Sequence, residues 1–105
     1  MIKVVGGVLP GRLIRLSVTG EIDMATVNEL ATPMTAALER ADVTGLIVDF
    51  AGVTFCDSTG IAALDRAFAA ASRRGIPFQL VNVQPGIRRV LELVGLFEAL
   101  AGRAD

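Results

Sequence analysis

The period of hydrophobic and polar positions changes several times along the chain, and each change marks an element. In residues 12–19, Ile14, Leu16 and Val18 fall on one face and Arg15, Ser17 and Thr19 on the other, the alternation of a half-buried strand. Residues 2–9 read as a strand paired to it through Pro10-Gly11, a dipeptide suited to the central positions of a type II turn. An antiparallel N-terminal hairpin is expected. Gly20-Glu21-Ile22-Asp23 breaks the alternation, and Val27, Leu30, Met34 and Leu38 then recur at helical spacing. This predicts a helix over about 24–41 with Asp23 as its N-cap. Pro33 lies inside it, where the missing N–H and the ring clash cost about 3 kcal/mol if unrelieved. A kink is expected there, or a break with Thr32 capping a second segment that opens at Pro33.

Gly45 precedes Leu46-Ile47-Val48-Asp49-Phe50, a mostly apolar run that fits an interior strand buried on both faces. After a loop at 51–57, Ile61, Leu64, Phe68 and Ala71 form the stripe of a second amphipathic helix over 61–74, stopped by Gly75. Phe78 to Val83 reads as a strand, and Pro85 opens a third helix with Ile87, Val90, Leu91 and Val94 on one face and Gly95 at its end. Leu96 to Leu100 is a short helical tail. The order β-β-α-β-α-β-α holds two strand–helix–strand units, so the expected fold is α/β: one domain over 1–105, with a mixed β-sheet made of the antiparallel hairpin and parallel βαβ units. Amphipathic helices pack on this sheet, leaving part of its other face open.

Composition narrows the chemistry. Among the 105 residues there is no histidine and one cysteine, so neither a Ser-His-Asp or Cys-His pair nor a zinc site of three or four N/S ligands can be assembled. Ten Lys+Arg against eleven Asp+Glu leave a net charge of −1. Arg73-Arg74 and Arg88-Arg89 are isolated pairs on solvated helix positions, which argues against nucleic acid as a partner. No apolar run approaches the roughly 20 residues of a spanning helix, and glycines interrupt the N-terminal stretch that a signal peptide would need. A soluble, cytoplasmic protein with no direct membrane binding is expected.

Three polar clusters sit at predicted strand ends: Gly20 to Asp23, Asp49 with the loop after it, and Cys56-Asp57-Ser58-Thr59-Gly60. They converge on one sheet edge if the strands before them are neighbours, which is where open α/β sheets place their sites. Asp57 to Gly60 immediately precedes the helix at 61–74, so Ser58 or Thr59 falls at its N-cap or in its first turn. The plain reading is a cap. The functional one is a modified hydroxyl, whose phosphate would face the unpaired N–H groups and positive end of the helix. Gly60, without a side chain, would let a partner's backbone or a nucleotide come close. Cys56 is read as a small buried hydrophobe and Asp49 as a structural carboxylate satisfying loop amides.

The Gly-Glu-Ile-Asp at 20–23, the stretch Val-Asp-Phe-Ala-Gly-Val-Thr-Phe-Cys-Asp-Ser-Thr-Gly at 48–60 and Leu-Glu-Leu-Val-Gly-Leu at 91–96 together resemble a STAS domain of the anti-sigma factor antagonist family. The resemblance covers nearly the whole chain. It implies that Ser58 is a phosphoacceptor, with Thr59 the runner-up, and that Asp23, Asp57, Ser58, Thr59 and Gly60 face the partner. The implied partners are an ATP-dependent anti-sigma factor serine kinase of the histidine-kinase-like ATPase fold, and a serine/threonine phosphatase. The unphosphorylated form would bind the anti-sigma factor and release the sigma factor. ATP and magnesium belong to the kinase, so no cofactor is implied and the chain is a substrate and switch rather than an enzyme. Two features depart from the family pattern: the chain stops soon after Phe97 without a further strand, and Pro33 interrupts the first helix. The alternative function is a constitutive STAS subunit of an ABC-type lipid transporter or of another transporter or sensor complex. Carboxylate catalysis by Asp23 and Asp57 is disfavoured, because no nucleophile or enclosed pocket accompanies them.

Overall fold

A computed structural model describes residues 1–102, so the last three positions of the expected 1–105 unit lie outside the described residues. Four strands form one sheet in the order β1-β2-β3-β4: β1 (Ile2–Leu9), β2 (Leu13–Ile22), β3 (Gly45–Cys56) and β4 (Phe78–Val81). The β1–β2 pair is antiparallel and the other two pairs are parallel, which is the mixed sheet expected. Among the described residues there are four α-helices: α1 (Val27–Glu39), α2 (Ser58–Arg73), α3 (Pro85–Leu93) and α4 (Phe97–Ala101). Between β1 and β2, Gly11 at φ 79° and ψ 16° has the backbone of the second central residue of a type II turn.

The core lies between α1, α2 and one face of the sheet. Leu16, Val18, Leu46, Val48 and Phe50 meet Leu30, Met34 and Leu64 there, all essentially without solvent contact. The alternate residues Leu13, Arg15, Ser17, Ile47 and Asp49 are only half-buried, so β3 is an interior strand with one covered face rather than two. Its helix-side pattern follows the pleat.

Several expectations on element bounds are corrected. β3 does not end at Phe50: it runs through the expected loop to Cys56, carried past two irregularities in its register with β2, and Gly20 pairs with Val53 and Ile22 with Cys56. The first helix starts at Val27, not at 24, because residues 23–26 form a separate hydrogen-bonded turn. Pro33 neither breaks that helix nor makes Thr32 a cap. The N–H that Pro33 lacks would have bonded the carbonyl of Glu29, an exposed residue that water can serve, and burial of Leu30, Met34 and Leu38 holds the helix on both sides. β4 stops at Val81 because Asn82 turns into the left-handed region at φ 57°. On α3 only Ile87 and Leu91 are buried, while Val90 and Val94 of the expected stripe are exposed.

Candidate functional site

Two of the three polar clusters meet at the carboxyl ends of β2 and β3. Beyond the Ile22–Cys56 pair, the Asp57 N–H donates to the Ile22 carbonyl at 3.1 Å, so the turn after β2 and the start of α2 are held together. Asp57 itself is the N-cap of α2, and Ser58 and Thr59 occupy the first turn. One carboxylate oxygen of Asp57 accepts from the Thr59 N–H at 2.9 Å and from the Gly60 N–H at 3.4 Å, and the Thr59 hydroxyl donates to the same oxygen. That hydroxyl is the main cause holding the Asp57 carboxyl below its ordinary value. Desolvation opposes it, and the amides of Gly60, Thr59 and Met24 add to it.

Ser58 is the first residue of α2 and is exposed. Its hydroxyl takes part in no hydrogen bond among the described residues, whereas that of Thr59 is committed to Asp57. Asp23 is likewise committed, in the turn before α1, where its carboxylate accepts from the N–H groups of Ala25 at 2.9 Å and Thr26 at 3.1 Å. The buried Thr26 hydroxyl accepts from the Asp23 N–H and donates to the Glu21 carbonyl at 2.9 Å, which pins this turn to the end of β2. Asp23 therefore caps a turn rather than α1 itself.

Gly60 has an internal reason. A Cβ there would stand 2.5 Å from Cys56 Sγ and 2.7 Å from Ile22 Cγ2, so the missing side chain lets the first turn of α2 press on the ends of both strands. Gly60 is buried, and this packing by itself accounts for a glycine at the position. Cys56 fills the space below. Burial, aided by the charge of Asp57, pushes its thiol up to about 11, so it remains a protonated, inert packing group at neutral pH.

Asp49 does not join the site, because β3 continues beyond it. It lies in mid-strand on the open face, accepts from Arg15 at 2.6 Å, and also receives the Asn82 side-chain amide at 3.2 Å and the Ala51 N–H at 2.9 Å. Partial burial raises its carboxyl, but the Ala51 amide, the Arg15 guanidinium and Asn82 together hold it below the ordinary value. The edge instead carries two apolar side chains: Met24 is 79% exposed beside Asp57, and Phe55 is 49% exposed at the end of β3. The sequence pattern assigns Met24 to a helix and Phe55 to a loop, so neither stands out. A large apolar residue inside a polar strand-end cluster is the signal that marks them.

Residues 2–103 match the family described as STAS domain. The chain belongs to the STAS domain family. An anti-sigma F factor antagonist from Paenibacillus polymyxa is 25% identical over 88 residues, which cover 84% of this STAS chain and 74% of that protein. The fold matches the unphosphorylated form of the anti-sigma factor antagonist SpoIIAA with a TM-score of 0.78 and 21% identity, over 90% of this chain and 83% of that one. The phosphorylated form of SpoIIAA from Bacillus matches with a TM-score of 0.74 and 21% identity, over 90% and 85%. The same fold occurs in a transporter: murine Slc26a9 matches with a TM-score of 0.73 and 23% identity, over 86% of this STAS domain and 15% of that chain. No described helix is long and apolar enough to cross a membrane, and no group of acidic or cysteine side chains among the described residues could hold a metal ion.

Proposed function

We propose that this STAS domain is a cytoplasmic anti-sigma factor antagonist switched by phosphorylation of Ser58. In the unphosphorylated state it binds an anti-sigma factor that is also an ATP-dependent serine kinase, through the edge carrying Asp23, Met24, Asp57, Ser58 and Thr59, and so releases the sigma factor. The kinase transfers the γ-phosphoryl of ATP to Ser58 Oγ: the new P–O bond forms as the bond to the ADP oxygen breaks, and the serine proton passes to a base of the kinase or to water. A serine/threonine phosphatase restores the hydroxyl by hydrolysis.

The observation that carries the reading is that, at this edge, the exposed Ser58 hydroxyl is unbonded while Asp57, Thr59 and Asp23 are tied into capping contacts. It favours Ser58 over Thr59 as acceptor. A phosphate there brings about 1.5–2 negative charges next to Asp57. The Thr59 and Gly60 amides are already taken by that carboxylate, so the added charge stays at the surface instead of being absorbed by the helix end. Unit charges about 4 Å apart interact by about 4 kcal/mol at an effective dielectric of about 20. If screening removes two-thirds of this, a change of about tenfold in partner affinity remains.

The test is capture from native lysate on wild-type protein and on Ser58→Asp, with identification by mass spectrometry. Recovery of a histidine-kinase-like ATPase on the wild type and its loss on Ser58→Asp is the expected result. Equal recovery of transporter subunits on both overturns it in favour of a constitutive subunit. With the captured kinase and ATP, Ser58→Ala should take up no phosphate while its stability stays within about 1 kcal/mol of wild type, since Asp57 and not Ser58 is the cap. Phosphate uptake by Ser58→Ala transfers the role to Thr59.

A further inference from the structure

β1 is the outermost strand, and no described backbone group other than those of β2 pairs with it. Its middle is Gly6-Gly7, flanked by Val5 and Val8, each 55% exposed. Glycine inside a strand costs about 0.5–1 kcal/mol relative to alanine, and here the interior gives little reason for it. Neither glycine has a positive φ, a Cβ on Gly7 would meet nothing within 4 Å, and one on Gly6 would meet only the flexible end of Leu16 at 3.2 Å. What two bare residues on an open edge do permit is close approach by another backbone. The edge also lacks the usual protection: Lys3 is its one charge, and neither a proline nor a bulge interrupts it.

The helix above repeats the pattern. α1 runs alongside β1, with Asn28 to Pro33 level with Ile2 and Val4, and Ala36 to Arg40 level with Gly6 to Val8, where a groove of about 440 Å³ opens. Its stripe alongside β1 ends in an acid and a base: Glu29 near Ile2 and Val4, which has no ion pair among the described residues, and Arg40 near Gly6 to Val8, whose contact with Asp42 is a loose 4.0 Å between exposed groups. Such a stripe complements itself when reversed. We infer that a second copy of this chain docks on the β1 edge, by antiparallel β1–β1 pairing about a two-fold axis at Gly6. Val4 then lies opposite Val8 of the second copy, and Val5 opposite its Gly7. Because α1 sits over the β1–β2 pair, the two α1 axes come about 10 Å apart, a packing distance for helices, and Glu29 faces Arg40 of the other copy. The sheets join into one of eight strands. The two Ser58 edges point to opposite ends, so the dimer is bivalent and both edges stay open.

Sedimentation equilibrium of the full chain, from about 1 to 500 µM, reads the association directly. The wild type should shift towards twice its 11.0 kDa mass as concentration rises. Val5→Lys with Val8→Lys, both at exposed positions, should weaken dimerisation by about tenfold or more while circular dichroism stays native. Glu29→Arg and Arg40→Glu should each weaken it, and the double exchange should restore it. A wild type that is monomeric throughout overturns the inference, as does a dimer unaffected by the lysines. Failure of the double exchange to restore association overturns the two-fold at Gly6.

Discussion

Asp49 and Asp57 stand on the same strand-to-helix run, and both carboxyls are held below their ordinary value, yet they do different work. Asp57 takes its donors from the next turn of its own chain, the hydroxyl and amide of Thr59 and the amide of Gly60. Asp49 takes one local donor, the Ala51 N–H, but also draws on β2 through Arg15 and on the end of β4 through Asn82, so it ties three neighbouring strands across the open face. The role of each aspartate on this run is assigned by the donors that reach it. Local donors make a cap and leave the adjoining serine free at the surface; long-range donors make a cross-strand tie with nothing free to react.

The largest expected effect falls on the packing beneath the Asp57 cap. Gly60→Val should cost about 2–3 kcal/mol in urea unfolding, because its side chain enters space held by Cys56 and Ile22. Gly60→Ala should cost less, and pairing it with Cys56→Ala should recover part of the loss. A Gly60→Val variant as stable as wild type would show that the contact does not constrain the helix start. Next, Asp49→Ala should cost about 1–2 kcal/mol, since it removes a short, part-buried ion pair with Arg15 that joins two strands, and this should exceed the cost of Asp57→Ala, which removes an exposed helix cap. If the two costs are reversed in matched unfolding curves, the distinction between tie and cap fails.

The smallest effect is on pH dependence. A carboxylate whose native value is lowered favours the fold in its ionised form, so its contribution is complete above the ordinary value of 3.8 and lost as pH falls through the native one. Stability should therefore drop as pH falls below about 4. Asp57→Asn, which retains a good cap, should leave stability near neutral pH almost unchanged while flattening that acid slope. Asp49→Asn should flatten it as well, but with a loss of stability at neutral pH, because its ion pair with Arg15 is gone. An unchanged slope in both variants would mean that other carboxylates govern acid unfolding.

Wherever chemistry is local, the amino-acid order was enough. Two-residue alternation at 12–19 marked β2, helical spacing at Ile61 to Ala71 marked α2, and Pro10-Gly11 marked the turn, because side-chain period and backbone sterics act within a few residues. The same locality put Ser58 or Thr59 at the N-cap or in the first turn of a helix expected from 61, whereas α2 starts at Ser58 with Asp57 as its N-cap. Tertiary contacts decided the rest. β3 extends through Ala51 to Cys56 because β2 supplies a partner strand for that glycine-containing stretch, and this extension is what removes Asp49 from the site. α1 passes through Pro33 because buried residues on either side outweigh one lost hydrogen bond. Gly60 is fixed by atoms of Ile22 and Cys56, which only the pairing of β2 with β3 brings under it. Burial and strand pairing join residues distant in the chain, and no period in the sequence encodes which of them will meet.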